Sequence, residues 1–356
     1  MAFSFGFSGD DIDGASDTSA PPPPSKPSAF PVAGKPQLPP TYHDLPALLS
    51  TLPSKIAFSN LDVSLDDGSS MQIPRRELWD VRIQLMAEDE GQAEGMEGLG
   101  SHDVKTGVYE GGFKSWESSL DLVKVLASGN HLSSDDATPV RIIELGCGTA
   151  LPSLAMFQWS LASTAETQRR ISFVIADYNP TVLQLVTLPN FVLSWALTQQ
   201  ATTPALQDAF AEDGELELSP EVINAFQAFL TSRGISLSFL SGGWSEQFVD
   251  LVYGQAPQTE ASSTLVLGAE TIYSPSALQA FAETTLSLLE RERAAGTAKA
   301  VALVGAKQHY FGVGGSLEDF VIDVQGRGAI VDKLREETAG VRRGVVSCTL
   351  RNDFKG

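Results

Sequence analysis

From position 140 onward, short apolar runs alternate with longer stretches of helical period. The runs at 140–145, 171–176, 236–240, 264–267 and 298–305 read as strands, with two more near 329–333 and 345–350. Strands that are apolar throughout, separated by helices, predict a mostly parallel sheet covered on both faces, an α/β architecture. The last two strands follow the Gly326-Arg327-Gly328 break and would close the sheet as a pair. A long helical insertion separates the second strand from the third. Its second helix is marked by Ser219 as cap, Pro220 at the first helical position and Gly234 just past the end.

Upstream the pattern is weaker. Residues 56–74 predict two strands around the turn Asp66-Asp67-Gly68, and 75–88 predict a helix. A Gly- and Glu-rich stretch covers 88–100. Trp116, Leu120, Val123 and Leu126 then recur at near-helical spacing up to Gly129-Asn130. Residues 14–42 are dominated by Pro, Ser, Ala and Asp, including Pro21-Pro22-Pro23-Pro24, a composition that builds no core. Phe3, Phe5 and Phe7 alternate as in a strand edge or a docking peptide. Three regions result: a largely disordered segment 1–55, an extension with a lead-in helix over 56–135, and the α/β domain over 136–356. There is no internal repeat.

Charge narrows the partners. Forty-four acidic and 24 basic residues give a net charge of -20. Binding to nucleic acid begins with cationic neutralisation of phosphates, so direct nucleic-acid binding is not expected. A basic protein suits this balance, through steering, although solubility alone also accounts for it. Cys147 and Cys348 have no Cys or His neighbour at ligand spacing, which predicts neither a disulfide framework nor a metal site. No uninterrupted apolar run approaches the ~18 residues of a membrane helix, and no basic-then-apolar leader opens the chain. The expectation is a monomer of the cytoplasm and nucleus, away from membranes.

Glu144-Leu145-Gly146-Cys147-Gly148-Thr149 follows a strand and precedes a helix opened by Pro152. Glycine lets main chain turn sharply against a ligand, and helix N-terminal N–H groups face it. A dinucleotide fingerprint would place Gly or Ala at 151, where Leu151 stands; S-adenosylmethionine, which has no pyrophosphate, needs only the two glycines. A tight turn without a ligand fits this segment as well. Asp177-Tyr178-Asn179 ends the next strand, where a carboxylate can accept from a ribose diol in a nicotinamide or a methyl-donor enzyme, or cap a helix. In Ser241-Gly242-Gly243-Trp244 the glycines would admit an adenine ring, with Trp244 beside it or in the core.

Gly107-Val108-Tyr109-Glu110-Gly111-Gly112, Trp116-Glu117-Ser118, Glu144 to Gly148, Asp177 to Asn179, Thr187-Leu188-Pro189-Asn190, Gly243-Trp244-Ser245, Glu270-Thr271-Ile272-Tyr273 and Tyr310-Phe311-Gly312-Val313-Gly314-Gly315 occur in this order. Together they resemble the eukaryotic histidine protein methyltransferase family, the branch that modifies a large-subunit ribosomal protein. The resemblance runs from about Val104 to the C-terminus. It implies a Rossmann-like class I methyltransferase with a seven-stranded sheet, S-adenosyl-L-methionine as cofactor and a basic ribosomal protein as substrate. The cofactor-lining residues it implies are Trp116, Glu117, Ser118 and Ser119; Glu144, Gly146, Cys147 and Gly148; Asp177, Tyr178 and Asn179; Gly243 and Trp244; and Gly268 and Ala269. Gly268-Ala269 departs from the hydroxyl-bearing residue expected before the Glu.

Methyl transfer to nitrogen needs a neutral nucleophile held in line, and imidazole offers one near neutral pH. A carboxylate that accepts one ring N–H fixes the tautomer and frees the other nitrogen. Glu270 is the residue expected to do this, with a helix cap as its other reading; Tyr273 accompanies it, in chemistry or in packing. His309, beside Lys307 and the glycine-rich loop 312–315, is expected on the substrate side. Lysine methylation, a nicotinamide-dependent dehydrogenase and a non-catalytic ribosomal-protein binder are the competing readings.

Overall fold

The computed structural model describes residues 36–88, 112–129, 131–132, 138–162, 169–254, 263–310, 312 and 314–351. The Phe3, Phe5 and Phe7 patch, the proline run, the 89–100 stretch, Gly107 to Gly111, Phe311 and Val313 lie outside the described residues. In chain order the elements are β1 (Thr41–His43), α1 (Leu45–Ser50), β2 (Lys55–Ser64), β3 (Ser70–Arg76), α2 (Leu78–Glu88) and α3 (Glu117–Ser128). Next come β4 (Val140–Leu145), α4 (Leu151–Ala162), β5 (Ile171–Asp177), α5 (Pro180–Val182), a π-helical turn (Leu183–Thr187) and α6 (Leu188–Gln199). The remainder is β6 (Glu215–Glu217), α7 (Pro220–Ser232), β7 (Ile235–Ser241), α8 (Glu246–Gly254), β8 (Ser263–Ala269), α9 (Pro275–Ala294), β9 (Lys299–Lys307), α10 (Leu317–Gly326), β10 (Ala329–Glu337) and β11 (Arg343–Leu350).

The central sheet runs β1-β7-β5-β4-β8-β9-β11-β10. β7, β5, β4, β8 and β9 are parallel neighbours, and β11 and β10 return antiparallel as the closing pair. Chain order reverses beside β4, the switch point at which open α/β sheets bind ligands. The seven expected strands are all present, and β1 adds an eighth, antiparallel to β7 with Thr41 opposite Ser241. Residues 36–55, at the end of the segment 1–55 expected to be largely disordered, therefore carry an edge strand and a short helix that buries Leu48 and Leu49. A second sheet, β3-β2-β6, contains the predicted hairpin and one strand, β6, with no counterpart in the sequence reading.

Side chains alternate between two cores. Val140 and Ile142 join the cluster under α3, α4, α6 and α7, while Ile143 and Leu145 join the one under α8, α9 and α10. Phe157, Phe173, Phe191 and Phe239 interlock edge-to-face in the first cluster. The stretch Pro180–Gln199 is long and apolar enough to cross a membrane by length and composition, and most of it is buried in this core.

Candidate active site

Parallel pairing brings the ends of β4, β5, β7, β8 and β9 to one sheet edge, where a cleft of about 770 Å³ opens. Its floor is the turn after β4. Gly146 and Gly148 have φ of 64° and 50°, left-handed values open to glycine at little cost. A Cβ on Gly148 would lie 3.0 Å from the Gly112 carbonyl oxygen, so the lead-in to α3 lies directly against this turn. Two groups of the Thr187-Leu188-Pro189-Asn190 motif hold the turn from behind: Thr187 Oγ1 donates to the Gly148 carbonyl at 2.6 Å, and Asn190 Nδ2 to the Thr149 carbonyl at 3.1 Å.

Asp177 lines the cleft and ties two turns together. Its Oδ2 accepts from Gly148 N at 2.9 Å and its Oδ1 from Asn179 N at 3.0 Å. The cap of α5 is Asn179, not Asp177, and Asn179 does not line the cleft. Glu144 lies on the wall, 2% exposed, and accepts from Ser153 N at 3.0 Å. Burial pushes its carboxyl up to about 7, the Asp177 charge adds to the rise, and the Ser153 hydrogen bonds oppose it. Burial, followed by these two carboxylates, raises the thiol of Cys147, another lining residue.

The glycines after β7 have a different neighbour from the one expected. A Cβ on Gly242 would lie 2.3 Å from the Pro39 carbonyl oxygen, and one on Gly243 3.0 Å from the Gln37 side chain. Gly243 N donates to the Leu38 carbonyl at 2.8 Å, and Leu38 N donates to the Tyr178 hydroxyl at 3.2 Å. Gly243 thus seats the chain before β1 and lies off the cleft, whereas Gly242, Tyr178 and Trp244 line it. Gly268 is also off the cleft, since its missing Cβ makes room for the Phe281 ring at 2.4 Å; Ala269 lines it.

On the opposite wall, Trp116 opens α3 and lines the cleft with Ser119, Lys114 and Ser115. Glu117 is exposed outside it. Ser118 is fully buried behind the wall and donates from Oγ to Glu270 Oε1 at 2.5 Å. Glu270 Oε2 accepts from the Tyr310 hydroxyl at 2.6 Å, and Lys307 Nζ lies 3.8 Å from the same oxygen. At φ 59°, Glu270 has a left-handed backbone, a strained setting of the kind found at functional sites. It caps no helix, because Ser274 is the N-cap of α9. Burial, followed by the Glu270 charge, raises the Tyr310 phenol far above its ordinary range, so it remains a proton donor.

Tyr273 and exposed His309 also line the cleft. Tyr310 is positioned by the glycine loop: its N donates to the Gly315 carbonyl at 3.0 Å, and a Cβ on Gly315 would collide with the Ile272 carbonyl. Thr271 lines the cleft, while its Oγ1 is buried without a hydrogen-bond partner on the side of Gly268. The turn between β10 and β11 contributes Gly340, Val341 and Arg342. It is anchored by Gln308 N donating to the Arg342 carbonyl at 2.9 Å and by Arg343 Nε to Asp121 Oδ2 at 2.7 Å. Among the described residues no group of three or more His, Cys, Asp or Glu could hold a metal.

Thr271 and Tyr310 stood inside quoted motifs without a role, and the β10–β11 turn carried no signal in the sequence. The geometry suits a nucleoside-bearing methyl donor: main chain at Gly146 and Gly148 and a carboxylate at the end of the adjacent strand line one cleft.

No family model matches the chain. It is 38% identical over 260 residues to histidine protein methyltransferase 1 of Saccharomyces cerevisiae, covering 69% of this chain and 67% of that protein. It is 34% identical over 277 residues to the Schizosaccharomyces pombe protein of the same name, covering 77% and 73%. The Bos taurus homologue is 29% identical over 71% of this chain and 58% of its own. Among solved structures, the chain is matched to the N-terminal domain of human METTL16 in complex with SAH, at 10% identity, 82% and 89% coverage and a TM-score of 0.38.

Proposed function

The chain belongs to the histidine protein methyltransferase family, and from that premise we propose that its cleft brings S-adenosylmethionine and a histidine of a protein substrate together beside Glu270. The observation that carries the proposal is the Glu270 carboxylate, fixed between Ser118 and Tyr310 on the wall of a cleft whose floor is the Gly146 to Gly148 turn. When bound, S-adenosylmethionine supplies a methyl group on a sulfonium, which a neutral imidazole nitrogen can take.

The chain's own residues do the rest. Gly146, Gly148 and Asp177 offer the cofactor main chain and a sugar-binding carboxylate, with Glu144, Cys147, Tyr178, Trp244 and Ala269 around it and Trp116 and Ser119 opposite. Glu270 has used one lone pair on each oxygen, and a carboxylate has about four acceptor sites, so it can take the N–H of a target ring. That hydrogen bond chooses which ring nitrogen is free and receives the proton that the methylated ring sheds. Tyr273 and His309 line the side by which the substrate enters. A basic large-subunit ribosomal protein is the substrate proposed for a chain of net charge -20, acting as a monomer in cytoplasm and nucleus.

The test is labelled methyl incorporation into ribosomal proteins from cells lacking the gene product, followed by amino-acid analysis. Wild type is expected to yield methylhistidine. Glu270→Gln keeps the shape and loses the charge, and kcat should fall on the order of 100-fold. Unchanged turnover in that variant would remove Glu270 from the chemistry, and label found in methyllysine would overturn the histidine assignment.

A further inference from the structure

Lys307 differs from the lysines at the surface. Lys55 and Lys333 have side chains 40% and 54% exposed, against 20% for Lys307. Its Nζ lies 4.7 Å from the Trp116 ring centroid, 5.5 Å from that of Tyr310 and 3.8 Å from Glu270 Oε2. Two ring faces and a carboxylate thus hold an ammonium on the cleft wall. At 3.8 Å the contact with Glu270 is electrostatic and lies beyond hydrogen-bond reach, so Lys307 uses none of the carboxylate's acceptor sites.

A carboxylate next to a target imidazole has two opposed effects. It accepts the N–H that fixes the tautomer, and its charge also stabilises the imidazolium, which has no lone pair to offer. If the charge raised the ring from its ordinary value of about 6.5 by one unit, about three quarters of it would be protonated at pH 7. A fixed cation beside the same carboxylate removes the second effect and leaves the first.

We propose that Lys307 is a positioning residue that cancels the charge of Glu270, so that the carboxylate orients the target histidine by hydrogen bonding without drawing a proton onto it. Lys307 has this role only where the target ring lies beside Glu270, as proposed above. The other charged and titratable groups lining the cleft are consistent with it. Tyr310 and Tyr273 flank Glu270, and Tyr310 keeps its proton. His309 follows Lys307 and is exposed; Lys114, before α3, and Arg342, from the β10–β11 turn, add positive charge. Glu144 and Asp177 line the cleft from the ends of β4 and β5, on the side given to the cofactor.

The experiment measures kcat against pH for the full chain with saturating S-adenosylmethionine, using as acceptor the large-subunit ribosomal proteins of cells lacking the gene product. In Lys307→Met the acid limb should move up by a full pH unit or more, with Lys307→Arg retaining the wild-type limb. Glu270→Gln, with Lys307 left in place, should move the limb down through its residual activity. It decides the matter if Lys307→Met does not fold, as judged by its melting curve. A Lys307→Met profile that superimposes on wild type, or a Glu270→Gln limb that stays or rises, overturns the proposal. Wild type that puts no methyl on histidine at any pH instead overturns the function on which it rests.

Discussion

Glu144 and Glu270 are both buried carboxylates on the cleft wall, held by different means. Glu270 has two hydroxyl donors and a lysine, whereas Glu144 accepts from Ser153 and is raised by burial from 4.5 to about 7. An acid whose folded value is raised is bound to its proton more tightly in the fold than in the unfolded chain. Its contribution to stability is therefore present below about 4.5 and is lost as pH rises to about 7. A cationic ligand in the cleft reverses the preference by favouring the charged form. S-adenosylmethionine affinity, measured by titration calorimetry, should rise between pH 6 and 8 with release of a proton, and Glu144→Gln should flatten the dependence. An equal slope in wild type and variant would exclude Glu144 as its source. At this scale the sequence was readable where a residue's chemistry names its neighbour and unreadable where only packing does. Gly146 and Glu270 both line the cleft. Gly243 and Gly268 were read as ligand-facing glycines, but a glycine reports that something comes close, not what: here it is Gln37 in one case and Phe281 in the other.

Short strands escaped the reading of elements. The five parallel strands and the closing pair have enough apolar residues to show a period, whereas β1 and β6 have three residues each and none. Both are formed by the partner strand they meet. β1 matters to the cleft because the chain before it touches Tyr178 and Gly243 through Leu38. Two such hydrogen bonds, at about 0.5–1.5 kcal/mol each, total about 1–3 kcal/mol, roughly 5- to 150-fold in an equilibrium constant. Deleting residues 1–43 should therefore weaken S-adenosylmethionine binding by about fivefold or more, as read by calorimetry. An unchanged Kd would show that the strand only trims the sheet edge. The β10–β11 turn is another case of an element made by its neighbours. Its place over the cleft depends on Asp121 of α3 meeting Arg343, a pairing between residues far apart in the chain.

For the whole molecule, the sequence carries a net charge of -20, while Lys114, Lys307 and Arg342 line the cleft. Attraction of a basic substrate by such a charge acts at long range and is screened beyond about 8 Å at physiological ionic strength. If the surface steers the substrate, kcat/KM should fall as salt rises from 50 to 300 mM while kcat holds; a flat kcat/KM would leave the charge with solubility alone. The alternating strands and helices and the closing pair were legible because strand and helix periods differ so clearly after residue 140, whereas the strand order that sets the switch point is made by pairing between distant segments. Mass spectrometry of protein digests from cells with and without this gene product tests histidine methylation directly. One methylhistidine, in a large-subunit ribosomal protein, should disappear with the gene while methyllysine is unchanged. Methylhistidine that persists, or a methyllysine lost in its place, would contradict it.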